Sequence, residues 1–253
     1  MSHSMSDEIN IIIPDWQVPT HVKALTTTRR GGVSKSPFNS FNLAHHVGDD
    51  KESVQTNREI LRREWLLPTE PYWLNQTHSI RVLEVTDNLT DKNADASWTE
   101  QADMVCCVMT ADCLPLLMYQ SSPESVAATH AGWRGLLDGI IENTIDSLPG
   151  EPHTLKVWLG PAIGPRAFEV GPEVREAFIE HDRNAESCFV DSQNAGKYMA
   201  DLYQLAIFRL RTCGVKDILG GQFCTFAEDE LFYSYRRDGE TGRMASMIWL
   251  ESE

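Results

Sequence analysis

The sequence predicts an α/β (α+β) fold: a single domain with a mixed β-sheet and flanking helices. Three observations carry that prediction. Apolar runs of strand length recur along the chain and are interleaved with a few amphipathic helical stretches, as in layered α/β architectures. No internal repeat, low-complexity tract or long linker divides the 253 residues, so one domain is expected over 11–253. A chain of this length buries an ample core.

The elements follow in order. Residues 1–10, MSHSMSDEIN, lack the basic start and apolar stretch of a signal peptide and are set aside as a flexible start or tag remnant. Residues 11–13 and 22–28 read as strands. The loop RRGGVSKSPFNSFNLAHHVGDD follows, poor in aliphatics and opened by Gly31 and Gly32; loops this long inside a compact domain are usually functional. Residues 51–65 are charged and helix-compatible. Strands are expected at 72–74, 81–85, 104–109, 114–119 and 126–129. Over 133–148, Trp133, Leu136, Leu137, Ile140, Ile141, Ile145 and Leu148 recur at three- and four-residue steps, the core stripe of a helix. Residues 155–159 form a short strand that runs into the rigid turn GPAIGP. Helices are expected at 172–181 and 199–212, the second closed by Gly214. Strands at 218–225 and 245–250 complete the chain.

Charge narrows the partners. With 37 acidic against 22 basic residues the net charge is -15, a field that repels nucleic acid and anionic membranes but leaves room for a small phosphorylated ligand beside local arginines. No run approaches the roughly 20 apolar residues of a membrane span. The cysteines at 106, 107, 113, 188, 213 and 224 show no CxxC and no regular spacing, which suits free thiols in a reducing compartment. The chain therefore reads as a cytoplasmic protein with no obligate protein partner evident.

Two residues able to bind soft metals, Cys113 in TADCLPLL and His130 in VAATHAGWRG, each stand at the end of an apolar run. His78, in the polar turn LNQTHSIRV, makes a third donor, and two imidazoles with one thiolate form a three-ligand zinc set that leaves a position open. By spacing alone, other His and Cys combinations compete with this trio. Asp112 reads either as a supporting carboxylate or proton shuttle, or as a turn cap. Arginines beside glycine-rich turns, Arg29, Arg30, Arg134, Arg236, Arg237 and Arg243, suggest an anion site; for any single one, a surface salt bridge is the alternative. No His-x-His pair is present, which argues against multicopper chemistry. Walker, GxSxG, GxGxxG, HExxH and PCxxC motifs are missing too.

Taken in order, TTRRGGVS, NLAHHVGDD, NQTHS, MTADCLPLL, THAGWRG, GPAIGP, FEVG and SYRRDGETGR resemble the signature blocks of the laccase-domain family, also called the polyphenol-oxidase or peptidoglycan-editing-factor family. The one departure is Ala44, where many members have Gly. The resemblance implies a fold distantly similar to deamidating cysteine-hydrolase toxins, and zinc held by His78, Cys113 and His130. It further implies purine nucleoside phosphorylase activity on adenosine, guanosine and inosine with phosphate as co-substrate, together with methylthioadenosine phosphorolysis and adenosine deamination. Arg29 is then expected to reach phosphate or substrate, with Arg134 as a second binding residue. Cys113, His130 and Asp112 are the expected catalytic set, Asp112 protonating the leaving base. Two other readings stand beside it: an amide hydrolase editing a cell-wall precursor, through zinc or a Cys113/His130 dyad, and a sensor that binds without turnover.

Overall fold

The structure, a computed structural model, describes residues 10–252; nearly all of the start set aside above lies outside it. Its strands are β1 (Ile11–Ile12), β2 (Val22–Thr27), β3 (Tyr72–Trp73), β4 (Val82–Glu84), β5 (Ala96–Thr99), β6 (Cys106–Thr110) and β7 (Leu114–Ser121). Then follow β8 (Glu124–Ala131), β9 (Leu155–Leu159), β10 (Glu169–Val170), β11 (Phe189–Asp191), β12 (Tyr198–Ala200), β13 (Asp217–Gly220) and β14 (Met244–Leu250). The helices are α1 (Lys51–Glu64), α2 (Trp133–Asp138), α3 (Ile140–Ser147), α4 (Pro172–His181), α5 (Leu202–Thr212) and α6 (Tyr235–Asp238).

Three sheets form where one was expected. One runs β1-β2-β14-β6-β3, a second β13-β9-β7-β8-β5-β4, and a small antiparallel third β10-β12-β11. The first two are mixed, with parallel pairs at β3/β6, β13/β9 and β4/β5. Side-chain alternation along their strands builds the layers. Cys106, Val108, Ile248 and Leu250 of the first sheet pack on Leu117, Tyr119, Val126, Ala128 and Trp158 of the second. On the outer face of the first sheet, Cys107, Met109, Met247 and Trp249 meet Leu61 of α1 with Phe41 and Leu43. On the outer face of the second, Leu116, Met118, Val157 and Leu159 meet Ile141 and Ile145 of α3 and Leu205 and Leu210 of α5. The order is helix, sheet, sheet, helix. Strands buried on both faces need apolar residues throughout, which is why β6 and β7 read as near-continuous apolar runs.

Several elements differ from the expectation, and β10, β11 and α6 form where none was expected. The helix over 133–148 is two helices, because Gly139 adopts φ +106°, closes α2 and starts α3. The same apolar stripe still faces the core. The helix expected over 199–212 starts later: Tyr198–Ala200 is a strand that pairs with its neighbours, and the Asp201 carboxylate then caps α5 by accepting from the Gln204 N–H. The strand expected over 218–225 stops at Gly220, since Gly220 and Gly221 take φ +84° and +79°. Strand β5 carries no strong apolar signal and was not expected at all. The six cysteines are all unpaired, as their spacing indicated. Among the described residues no helix is long and apolar enough to cross a membrane.

Gly139 supplies a clean stability test. A methyl group there meets nothing closer than 3.6 Å, so Gly139→Ala is penalised by its left-handed backbone alone, about 1–2 kcal/mol. Thermal unfolding should show a drop of roughly 2–8 °C; an unchanged midpoint would mean that the helix break relaxes freely.

Candidate metal centre

The antiparallel pairing of β7 with β8 sets Leu114 opposite Ala131 and Pro115 opposite His130. Cys113, just before β7, thereby falls beside the end of β8 that carries His130. His78 arrives from the loop between β3 and β4. The nitrogen and sulfur donors of His78, Cys113 and His130 all lie within 4.8 Å of one another. Cys113 Sγ is 3.7 Å from His78 Nε2, close to the roughly 3.5 Å at which a thiolate and an imidazole stand when they share one tetrahedral zinc ion. Among the described residues this is the one such cluster of three or more potential ligands. The sequence trio is thus brought together, and its sulfur and two nitrogens fit a borderline-soft divalent cation.

Asp95 holds this arrangement. Its side chain is completely buried, and its Oδ1 accepts from His130 Nδ1 at 2.8 Å and from the His78 N–H at 3.0 Å. Its Oδ2 accepts from the Thr77 N–H at 3.2 Å and from the N–H and hydroxyl of Ser79, each at 2.6 Å. One carboxylate therefore fixes the His78 loop and aims His130 so that Nε2 is left for a cation, the usual way a ligand histidine is oriented. Asp95 sits just before β5, and the pairing of Ala96 with Thr129 delivers it to His130. Sequence reading missed it along with its strand. The only local signal is an acidic residue among alanines in NADASWT.

Electrostatics follow from this crowding. Burial pushes the Cys113 thiol up, but the charge of His130 and hydrogen bonds from His130 and His78 outweigh it and bring it below its ordinary value. Burial also works against charge on His130, yet the Cys113 thiolate and the Asp95 carboxylate raise it above the usual imidazole range. Each group thus favours the charged form of the other, a thiolate beside an imidazolium, and a bound cation would take the place of the imidazolium proton. Backbone strain concentrates here as well: His78 and Asp112 hold φ +61° and +91°, values uncommon outside glycine.

Gly132 makes room for the donors. Its φ of -67° suits any residue, but a Cβ there would stand 2.8 Å from His78 Cδ2 and 3.0 Å from Cys113 Sγ. Gly132→Ala should leave folding intact while displacing a ligand, lowering metal affinity about tenfold or more. Equal metal content in both proteins at limiting metal would show that the cluster is not a binding site.

The trio lines a cavity of about 490 Å³, within the usual size for a small-molecule site. Met109, Trp133, Ile163, Phe168 and Leu202 give it apolar walls; Arg134, Arg236 and Arg243 give it charge. Each arginine lies over an aromatic ring, Arg134 at 4.4 Å from Trp133, Arg236 at 5.5 Å from Phe168 and Arg243 at 6.0 Å from Tyr235. Arg29 does not line this cavity. It donates to the carbonyls of Asn39 and Asp229 and lies over the Tyr233 ring, tying the glycine loop to the 229–233 segment. Asp112 does line it, but its oxygens accept from the Thr225 hydroxyl and the Arg236 N–H, each at 2.7 Å. These two bonds anchor the C-terminal segment to the turn before β7.

Fold and site together define a layered α/β protein with a metal-capable His–Cys–His cluster at the base of a cationic pocket. A family model described as "Multi-copper polyphenol oxidoreductase laccase" matches residues 23–251, and the chain belongs to that family. It is 51% identical over 241 residues to a "Purine nucleoside phosphorylase" of Haemophilus influenzae, covering 95% of this chain and 99% of the relative. It is 50% identical over 241 residues to "Purine nucleoside phosphorylase YfiH" of Escherichia coli, covering 95% and 98%. The crystal structure of a Neisseria meningitidis protein of the DUF152 family superposes with a TM-score of 0.91 at 46% identity, covering 96% of this chain and 100% of that one.

Proposed function

We propose that this protein is a zinc-dependent purine nucleoside phosphorylase acting on adenosine, guanosine and inosine, with methylthioadenosine phosphorolysis and adenosine deamination at the same site. The observation that carries this reading is the full-length similarity, at about half identity, to relatives bearing that name. The pocket suits the chemistry: apolar walls for a purine ring, arginines with no carboxylate partner among the described residues for phosphate, and a metal-capable trio. Cytoplasmic residence, where nucleosides and phosphate meet, belongs to the same proposal.

In phosphorolysis, phosphate attacks the ribose anomeric carbon and the purine leaves with developing negative charge. His78, Cys113 and His130 would hold the zinc, which when bound supplies Lewis acidity and activates water. Asp95 keeps His130 and the His78 loop in register, so the donors need no rearrangement. Trp133 and Phe168 enclose the base, and Arg134 at the exposed rim meets the polar part of the nucleoside. Incubating the purified protein with inosine, with and without phosphate, tests the reading. Hypoxanthine and ribose 1-phosphate that depend on phosphate are expected; hypoxanthine released equally without phosphate, or none at all, removes it.

A second reading draws on one observation: Asp95 turns the Cys113/His130 dyad into a Cys–His–Asp arrangement, the set of a thiol amide hydrolase acting on a cell-wall precursor. It requires Cys113 free of metal, whereas His78 contributes a third donor that such a nucleophile does not use.

A further inference from the structure

Phosphate must be held by a cation that faces the trio and has donors to spare. We infer that Arg243, with His46 on the same wall, forms the oxyanion subsite that binds the attacking phosphate; this rests on the phosphorylase reading above.

The argument is one of geometry and remaining donors. Arg243 stands just before β14, half-buried, on the cavity wall shared with Cys113, Asp112 and Tyr235. Its Nη1 donates to the carbonyls of Thr241 and Gly242, each at 2.9 Å, which presets the plane of the guanidinium. Among the described residues its other nitrogens have no acceptor and it makes no ion pair. In a chain with 37 acidic residues, no carboxylate neutralises this arginine among the described residues. Arg30, Arg81 and Arg175, by contrast, pair with Glu230, Asp91 and Glu186. Among the described residues the one carboxylate on the cavity wall is Asp112, and its oxygens accept from the Thr225 hydroxyl and the Arg236 backbone N–H. Arg134 and Arg236, the other two arginines of the wall, are both exposed. Arg243 is therefore the preset, half-buried cation on this wall, and a planar fork of N–H donors suits a tetrahedral oxyanion. His46 adds a donor from the long glycine loop, which ties that loop to the chemistry without Arg29.

The test compares Arg243→Gln and Arg243→Lys with the unmodified protein. Gln can still donate to the turn carbonyls, so it removes the charge with little disturbance of the fold; Lys keeps the charge and loses the fork. The KM for phosphate in inosine phosphorolysis should rise about 10- to 100-fold in Arg243→Gln and less in Arg243→Lys, with the KM for inosine and the metal content unchanged. Direct titration with inorganic phosphate should show the same loss of affinity. An unchanged phosphate KM and titration in a folded, metal-loaded Arg243→Gln would overturn the assignment while leaving the phosphorylase reading intact. Should the unmodified protein not turn over inosine, that reading falls, and the phosphate titration still decides the subsite.

Discussion

His78→Ala is expected to strip the metal from this protein and abolish phosphorolysis while leaving the fold in place. His78 is solvent-exposed on a loop, so its removal opens no core cavity. Loss of one donor from a site worth about 10–16 kcal/mol over its whole ligand set should cost roughly 3 kcal/mol of metal binding, a hundredfold or more in affinity. Metal analysis and activity measured side by side check this. The variant also separates the two enzymatic readings, because His78 has no place in a Cys113–His130–Asp95 nucleophile. If His78→Ala keeps activity, chelators leave it unaffected, and Cys113 is rapidly alkylated with loss of turnover even after metal loading, the thiol hydrolase takes the place of the metal enzyme. We expect the reverse: a Cys113 that resists alkylation once metal is bound.

The second large effect concerns Asp95. Its buried carboxylate accepts from three backbone N–H groups, the Ser79 hydroxyl and His130, so Asp95→Ala leaves several buried donors unpaired. A loss of about 3–5 kcal/mol is expected, a fall in unfolding midpoint of roughly 10 °C. Asp95→Asn keeps the shape but turns one acceptor into a donor, and should mainly lower metal affinity, by about 10- to 100-fold. A pH dependence follows. Burial would raise the Asp95 carboxyl, but hydrogen bonds from His130 and Ser79 and the charge on His130 outweigh it and hold it down at about 2. Its contribution, about 2 kcal/mol, is therefore complete above the ordinary carboxylate value near 4 and is lost as pH falls toward 2. Acid titration of metal-free protein should show the unmodified chain losing stability in that window and Asp95→Asn losing less; parallel curves would remove Asp95 from this role.

The site was only partly legible. Cys113, His130 and His78 could be named because each interrupts an apolar or polar run with a metal-binding side chain. Arg29 drew attention through its glycine loop, yet it lies outside the cavity lining, tied to the Asn39 and Asp229 carbonyls. Arg243 carried no stronger sequence signal than its neighbours Arg236 and Arg237. Neighbours in sequence say nothing of which guanidinium finds a carboxylate, a carbonyl or open space. Asp95 escaped for the same reason, since its partners lie 16 to 35 residues away.

By itself the sequence determined the local choices: which apolar runs become strand and which become helix, that the cysteines stay unpaired, and which residue types could bind a metal. These depend on side-chain periodicity and composition, which are properties of short windows. Tertiary structure alone decided that two large sheets stack face to face, that Gly139 divides one helical stripe into two helices, and that β5 pairs with β8. The antiparallel register of β7 on β8 then sets Cys113 beside His130, and β5 brings Asp95 beneath both histidines. Pairing and register are long-range matters, fixed by which apolar faces can be buried together, and a window of a few residues holds no record of them.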